Sequence, residues 1–246
     1  MRFIIVGFIL LSGLDQLMAV EPHWSTIQDQ VDQSIGNGDA EALQALDNRI
    51  ALWQSEQPEW QHYWRAYIAF RAILLEPEGE SQHHQMMVCK EQAEAAVNNG
   101  ENSGESHALL ASCLGRLAAS NTSAAMRYGS EAGTIQDESI LIAPDNPRVL
   151  MLAAVSDYNK PVMWGGDIDR AERRLRRSIS ALEMQTPDPS KPWQPTWGHV
   201  DAYGHLAIVL GELDQPDGAL DVLDQAAALG FQSGWLDSLR SDITNQ

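Results

Sequence analysis

The chain is short of positive charge. Sixteen lysines and arginines face 34 acidic residues, a formal charge of −18 over 246 residues. Phosphate recognition needs a basic footprint, so nucleic acid is excluded as a partner, and an anionic bilayer is disfavoured on the same ground. A basic protein or peptide would instead be drawn in by the acidic field. Cysteine is scarce too. Cys89 and Cys113 are the only two, too few to build a zinc site by themselves. His83 and His84 are adjacent and so point about 100° apart on a helix. Asp201 and His205 share a face but supply only two donors, so no metal is expected. No G-x-S-x-G, H-E-x-x-H, phosphate-loop or dinucleotide pattern occurs, and the chain is expected to be neither an enzyme nor a cofactor carrier. No stretch alternates apolar and polar residues over a strand length, which excludes a sheet.

What is present is a large apolar fraction. At 44% hydrophobic, the chain can bury a sizeable core and is not disordered. Met1 to Ala19 reads as a secretory signal, with Arg2, the apolar run Phe3 to Leu11, and a more polar end at Met18-Ala19. The run is too short for an ordinary spanning helix. Asp15 and Leu17 make the cleavage site imperfect, and Leu14 stands where a lipoprotein would carry its lipidated cysteine. The mature chain is expected to start near Val20, periplasmic or secreted, with no stable membrane insertion; an uncleaved N-terminal anchor is the alternative. In such an oxidising compartment Cys89 and Cys113 are a candidate disulfide. They lie equally far from the turn-like residues 98–102, which sets them at one height on a helical hairpin. Equal height permits a bridge without requiring one, since the side chains must also face each other.

Helical periodicity fills the rest. Residues 143–182 set the pattern: Asn146 caps a helix with Pro147 at its first position, and Lys160-Pro161 closes it. Gly165-Gly166 then reverses the chain, and Asp167 caps a second helix. In that helix Ala171, Leu175, Ser178, Ile179 and Leu182 share one side, opposite Arg170, Arg173, Arg174, Arg176 and Arg177. The arginines read as a solvated outer face balancing nearby acids. Earlier helices are expected over Trp24 to Ile35, Ala40 to Trp53, from Pro58 to about Leu74, Ser81 to Val97 and Ser103 to Ala119, then one capped by Thr122 and running to Ile142. Trp60, Tyr63, Trp64, Tyr67 and Phe70 form an aromatic stripe that reads mainly as core. Residues 186–198 carry Pro187, Pro189, Pro192 and Pro195 with Trp193 and Trp197, an ordered loop rather than a flexible linker. The last helices are expected over His199 to Gly211, Asp217 to Leu229, and on to Ile243.

The final pair resembles a tetratricopeptide repeat. Tyr203, Leu206, Ala207 and Leu210 occupy its large-large-small-large positions, and Ala219, Leu223 and Ala226 the small-large-small positions of the second helix. Ala132, Ser139 and Pro144 add a partial match, departing at Gln136, where a large apolar residue is usual and neighbouring Ile135 can fill the space. Leu152, Ala153 and Ala171 add a third, lengthened by about six residues around Met163-Trp164-Gly165-Gly166 relative to the usual period. The resemblance is clearest over residues 103–230. It implies an all-α fold, a right-handed α–α superhelix of antiparallel helix pairs, with first helices lining a concave groove that holds peptides or helices. The long elbow and the Pro/Trp loop depart from the standard repeat and are placed to cover part of that groove.

The expected organisation is a signal over 1–19 followed by one tetratricopeptide-like domain over 20–246. Groove candidates are Tyr63, Tyr67, Ser112, Asp157, Tyr158, Asp201 and Ile208; the loop tryptophans Trp164, Trp193 and Trp197 need either a packing site or a ligand. The reading is an exported, non-enzymatic adaptor holding a protein or peptide in its groove. The alternative is a small-ligand-binding accessory subunit of a solute transporter, a type that the resemblance also includes, with the loop tryptophans closing over a pocket. The two differ in whether those tryptophans converge on a cavity or pack shut.

Overall fold

The computed structural model describes residues 23–100 and 103–245; the candidate signal and part of the turn between the cysteines lie outside them. Among the described residues every regular element is helical. In chain order these are α1 (Trp24–Asn37), α2 (Ala40–Ala51), α3 (Pro58–Ala72), α4 (Glu80–Asn99), α5 (Gly104–Ala119) and α6 (Thr122–Ile142). They continue as α7 (Pro147–Asn159), α8 (Ile168–Met184), α9 (His199–Glu212), α10 (Pro216–Ala228) and α11 (Gly234–Thr244). No described helix is long and apolar enough to cross a membrane.

The ends are fixed by short polar side chains. Asp39, Ser103, Asn121, Asn146, Asp167 and Ser233 each accept a hydrogen bond from a first-turn amide, satisfying donors that a helix otherwise leaves unpaired. Asn121, rather than the expected Thr122, caps α6. The elbow between α7 and α8 is a 3-10 turn, Val162–Trp164, closed by Gly165 at φ 89°. Gly166 is required there because a Cβ would stand 1.8 Å from the Lys160 carbonyl oxygen.

Successive helices pair as α3/α4, α5/α6, α7/α8 and α9/α10, and the first helices α1, α3, α5, α7 and α9 also touch one another in sequence. The architecture is an all-α solenoid of antiparallel helix pairs. Small residues such as Ala93, Ala153, Ala171, Ala207 and Ala226 have no exposed surface, allowing the close helix approach that this packing needs. One buried cluster runs from Ile27 to Leu236. Gln136, rather than Ile135 alone, fills its repeat position: it is buried, and its amide donates to the Ser139 hydroxyl at 2.8 Å. The five apolar-side residues of α8 are all buried.

Cys89 on α4 is bonded to Cys113 on α5, with Cα atoms 5.6 Å apart. The bond joins two neighbouring pairs. Replacing both cysteines by alanine removes a covalent constraint spanning 24 residues. We predict a loss of about 3 kcal/mol in unfolding free energy on the loop-entropy account. Denaturant titration of oxidised protein against the double variant checks this; equal midpoints contradict it.

Candidate functional site

The concave side of the solenoid, where the first helices face, is not an open groove. The segment 185–198 crosses it as a strap, seated on a ladder of aromatic rings along α3. Trp60, Tyr63, Trp64 and Tyr67 meet in successive edge-on contacts at 5.4, 5.8 and 5.7 Å between centroids, and Trp197 stacks on Tyr67 at 4.5 Å. Three of the polar handles are paired. The Trp197 indole donates to the Tyr63 hydroxyl at 3.1 Å, and the Trp64 indole to the Trp193 carbonyl at 2.9 Å. Thr196 donates through its amide and hydroxyl to the Gln28 side chain on α1 at 3.1 and 2.9 Å. Such handles matter because a buried indole or phenol must find a partner. Burial, followed by the nearby Glu105 charge, pushes the Tyr63 phenol well above its ordinary pKa.

Arg148, in the first turn of α7, holds both ends of the strap. Its Nη1 donates to the Gln185 side chain at 3.0 Å and the Trp197 carbonyl at 3.2 Å, and its Nη2 to Glu105 Oε1 at 2.7 Å. The two charged side chains are 3% and 9% exposed. Asn146 also donates to Glu105 Oε1, at 2.6 Å. Burial works against the Arg148 charge, but the Glu105 carboxylate, helped by Tyr63 and Tyr67, holds the guanidinium pKa above its ordinary value. Two atoms of this pair, Arg148 Nε and Glu105 Oε2, have no hydrogen-bond partner among the described residues.

Beside this pair the strap leaves a cleft of about 570 Å³. Trp60, Leu150 and Met184 give it apolar walls; Arg148 and Glu105 line it together with Arg177, and Gln185 and Gln194 close it from the strap. Arg177 pairs with Asp145 at the rim, at 2.7 Å. Further along the concave side, Arg71 pairs with Asp201 at 2.7 Å, tying α3 to α9. His205 lies edge-on to Trp235 at 5.4 Å. Among the described residues no group of three or more histidines, cysteines or acids is arranged to hold a metal ion.

The expected site residues therefore scatter. Tyr63 and Tyr67 are buried under the strap and touch the chain itself rather than an open groove. Asp157, expected to face outward, is buried against α8, where it accepts from Arg170 at 2.9 and 2.8 Å and from Arg174. Those two arginines thus lock the elbow rather than merely solvate an outer face. Ser112 donates back to the Ala108 carbonyl, Asp201 is held by Arg71, and Tyr158 and Ile208 are half-buried. The tryptophans do not converge: Trp197 is buried, Trp193 half-buried, and Trp164 stands out on the elbow with Val162 and Met163. Sequence reasoning missed Arg148 and Glu105. The signal available was a lone arginine opening a run of apolar residues on a helix whose first eight residues are all buried.

Truncating Trp197→Ala removes the strap's main anchor, and we predict a loss of about 3–5 kcal/mol in stability. Faster hydrogen exchange at the Thr196 amide, which donates to Gln28, should accompany it; an unchanged exchange rate contradicts the seating described. A second expectation concerns acid. Burial holds the His205 pKa below its ordinary value; Arg116 and Arg71 add to that, and Asp201 opposes it. The unfolded chain therefore takes its proton first, so stability is present above about pH 6.5 and falls as pH drops below it. His205→Gln should flatten that fall in thermal melts between pH 7 and 5.

No protein-family model matches the chain, and a comparison with curated proteins finds no match. Among solved structures, the HusA haemophore from Porphyromonas gingivalis is similar, at 21% identity over 78% of this chain and 94% of that one, with a TM-score of 0.62. That likeness concerns the fold. The assembly chaperone of RpL4, Acl4, aligns over 91% of this chain and 96% of its own at 15% identity, with a TM-score of 0.36, too low to carry an argument.

Proposed function

We propose that the protein is an exported, non-enzymatic binding protein of tetratricopeptide-like fold, acting as one unit after loss of its signal, and that it holds a small ligand in the cleft beside Arg148 and Glu105. One observation carries this reading. The chain's own strap occupies the concave surface where a long peptide or helix would lie, and the space beside Arg148 is a half-open cleft with apolar walls and a charged floor. Concave sites of that make-up suit small molecules. An accessory role in solute transport is consistent with it.

Haem, implied by the haemophore's name, is a natural competitor. Of the side chains lining the cleft, Met184 is the sole one of an axial-ligand type, so we assign the cleft a different ligand. A protein partner keeps one supporting observation: Val162, Met163 and Trp164 project from a rigid elbow with 85, 82 and 62% of their surfaces exposed. Such a patch is characteristic of an interaction surface.

Native mass spectrometry of protein recovered from the periplasm tests the main reading. We predict a retained small molecule that is lost when Ala181→Trp fills the cleft. A haemin titration should give no saturable one-to-one band that Ala181→Trp abolishes. Recovery of a stoichiometric protein partner, lost with Trp164→Ser, together with no retained molecule, contradicts the small-ligand reading.

A further inference from the structure

We infer that the cleft takes a zwitterion of the α-amino acid class, with its carboxylate on Arg148 and its ammonium on Glu105. This rests on the cleft being the binding site, as proposed above. The charges that line it are two of each sign: Glu105 and Asp145 against Arg148 and Arg177. A ligand carrying only an anion or only a cation meets as much repulsion as attraction there. A ligand carrying both, set a short distance apart, meets complementary partners at both ends.

The unpaired atoms sharpen this. Arg148 Nε can only donate and Glu105 Oε2, on an ionised carboxylate, can only accept. Both belong to side chains more than nine-tenths buried that line the cleft. A buried charged group with an unmade hydrogen bond is costly, and hydrogen bonds to charged groups are the stronger class. The missing partners are therefore one acceptor and one donor, the pair that a carboxylate and an ammonium supply. Reaching these enclosed atoms takes a shift of the two side chains, which are held at the cleft by the bonds of Arg148 to Gln185, Trp197 and Glu105 Oε1 and of Glu105 to Asn146. The walls set by Trp60, Leu150 and Met184 then receive an apolar side chain, aromatic or aliphatic. Selectivity follows from the unpaired atoms: an analogue with either end blocked leaves one of them stranded.

Isothermal titration calorimetry of the mature chain with L-phenylalanine, N-acetyl-L-phenylalanine and L-phenylalanine amide tests this directly. L-phenylalanine should bind, each blocked form should bind at least about tenfold more weakly, and Ala181→Trp should abolish binding. Glu105→Gln, which keeps the side chain's shape, should selectively weaken the forms with a free amine; if that variant does not fold, the panel of blocked ligands still decides. Equal affinity for free and blocked forms, still lost in Ala181→Trp, overturns the zwitterion while leaving the cleft as the binding site. The zwitterion is likewise overturned, and the cleft kept, if no probe binds while a different molecule, retained from the periplasm, is lost in that variant. If nothing retained or added depends on Ala181, both proposals fall.

Discussion

A guanidinium taken out of water cannot shed its charge, so it must be met by an anion and by acceptors fixed around it. Arg148 is that group in this protein. Glu105 brings the anion from α5, while Gln185 and the Trp197 carbonyl bring acceptors from the two ends of the strap. Three separate parts of the chain are thereby required to meet at one point. The desolvated pair is not expected to add much stability over an apolar substitute. Its effect is to make one arrangement of the strap compatible with a folded protein and the alternatives expensive.

The consequence is a change in what the solenoid offers. Stacked helix pairs of this kind curve and leave their first helices facing inward. Here the ladder from Trp60 to Tyr67 lies on that inner side, and Trp197 completes it from a distant part of the chain. Intramolecular packing thus covers the ladder. The cleft at the Arg148 end and the elbow at the far end of the α7/α8 pair stay open. The first is concave and charged, the second exposed and apolar, so they would suit different partners.

Local features were legible in the sequence where their causes are local. Asn146, Pro147 and Asp167 sit where their chemistry places them, and the five apolar-side residues of α8 followed from helical spacing alone. Residues 186–198 could be read as ordered because prolines and tryptophans do not make a flexible linker. Their seat could not be read, because it rests on hydrogen bonds between residues 129, 134 and 168 positions apart. Asp157 misled for a related reason. Its helical spacing from Leu150 and Ala154 sets it on the packed stripe, where Arg170 and Arg174 of α8 meet its charge, on a helix enclosed on nearly every side. The same enclosure hid Arg148, which spacing alone would leave in solvent.

The most direct test of the strap's place is amide and indole hydrogen exchange followed by NMR. If residues 185–198 are a fixed part of the interior, the Trp197 and Trp64 indole protons exchange only as slowly as the core amides of α3, while the Trp164 indole on the elbow exchanges freely. Trp197 exchanging as fast as Trp164 would mean that the strap lifts off readily, that the groove is open to a long partner, and that this account of the site is wrong.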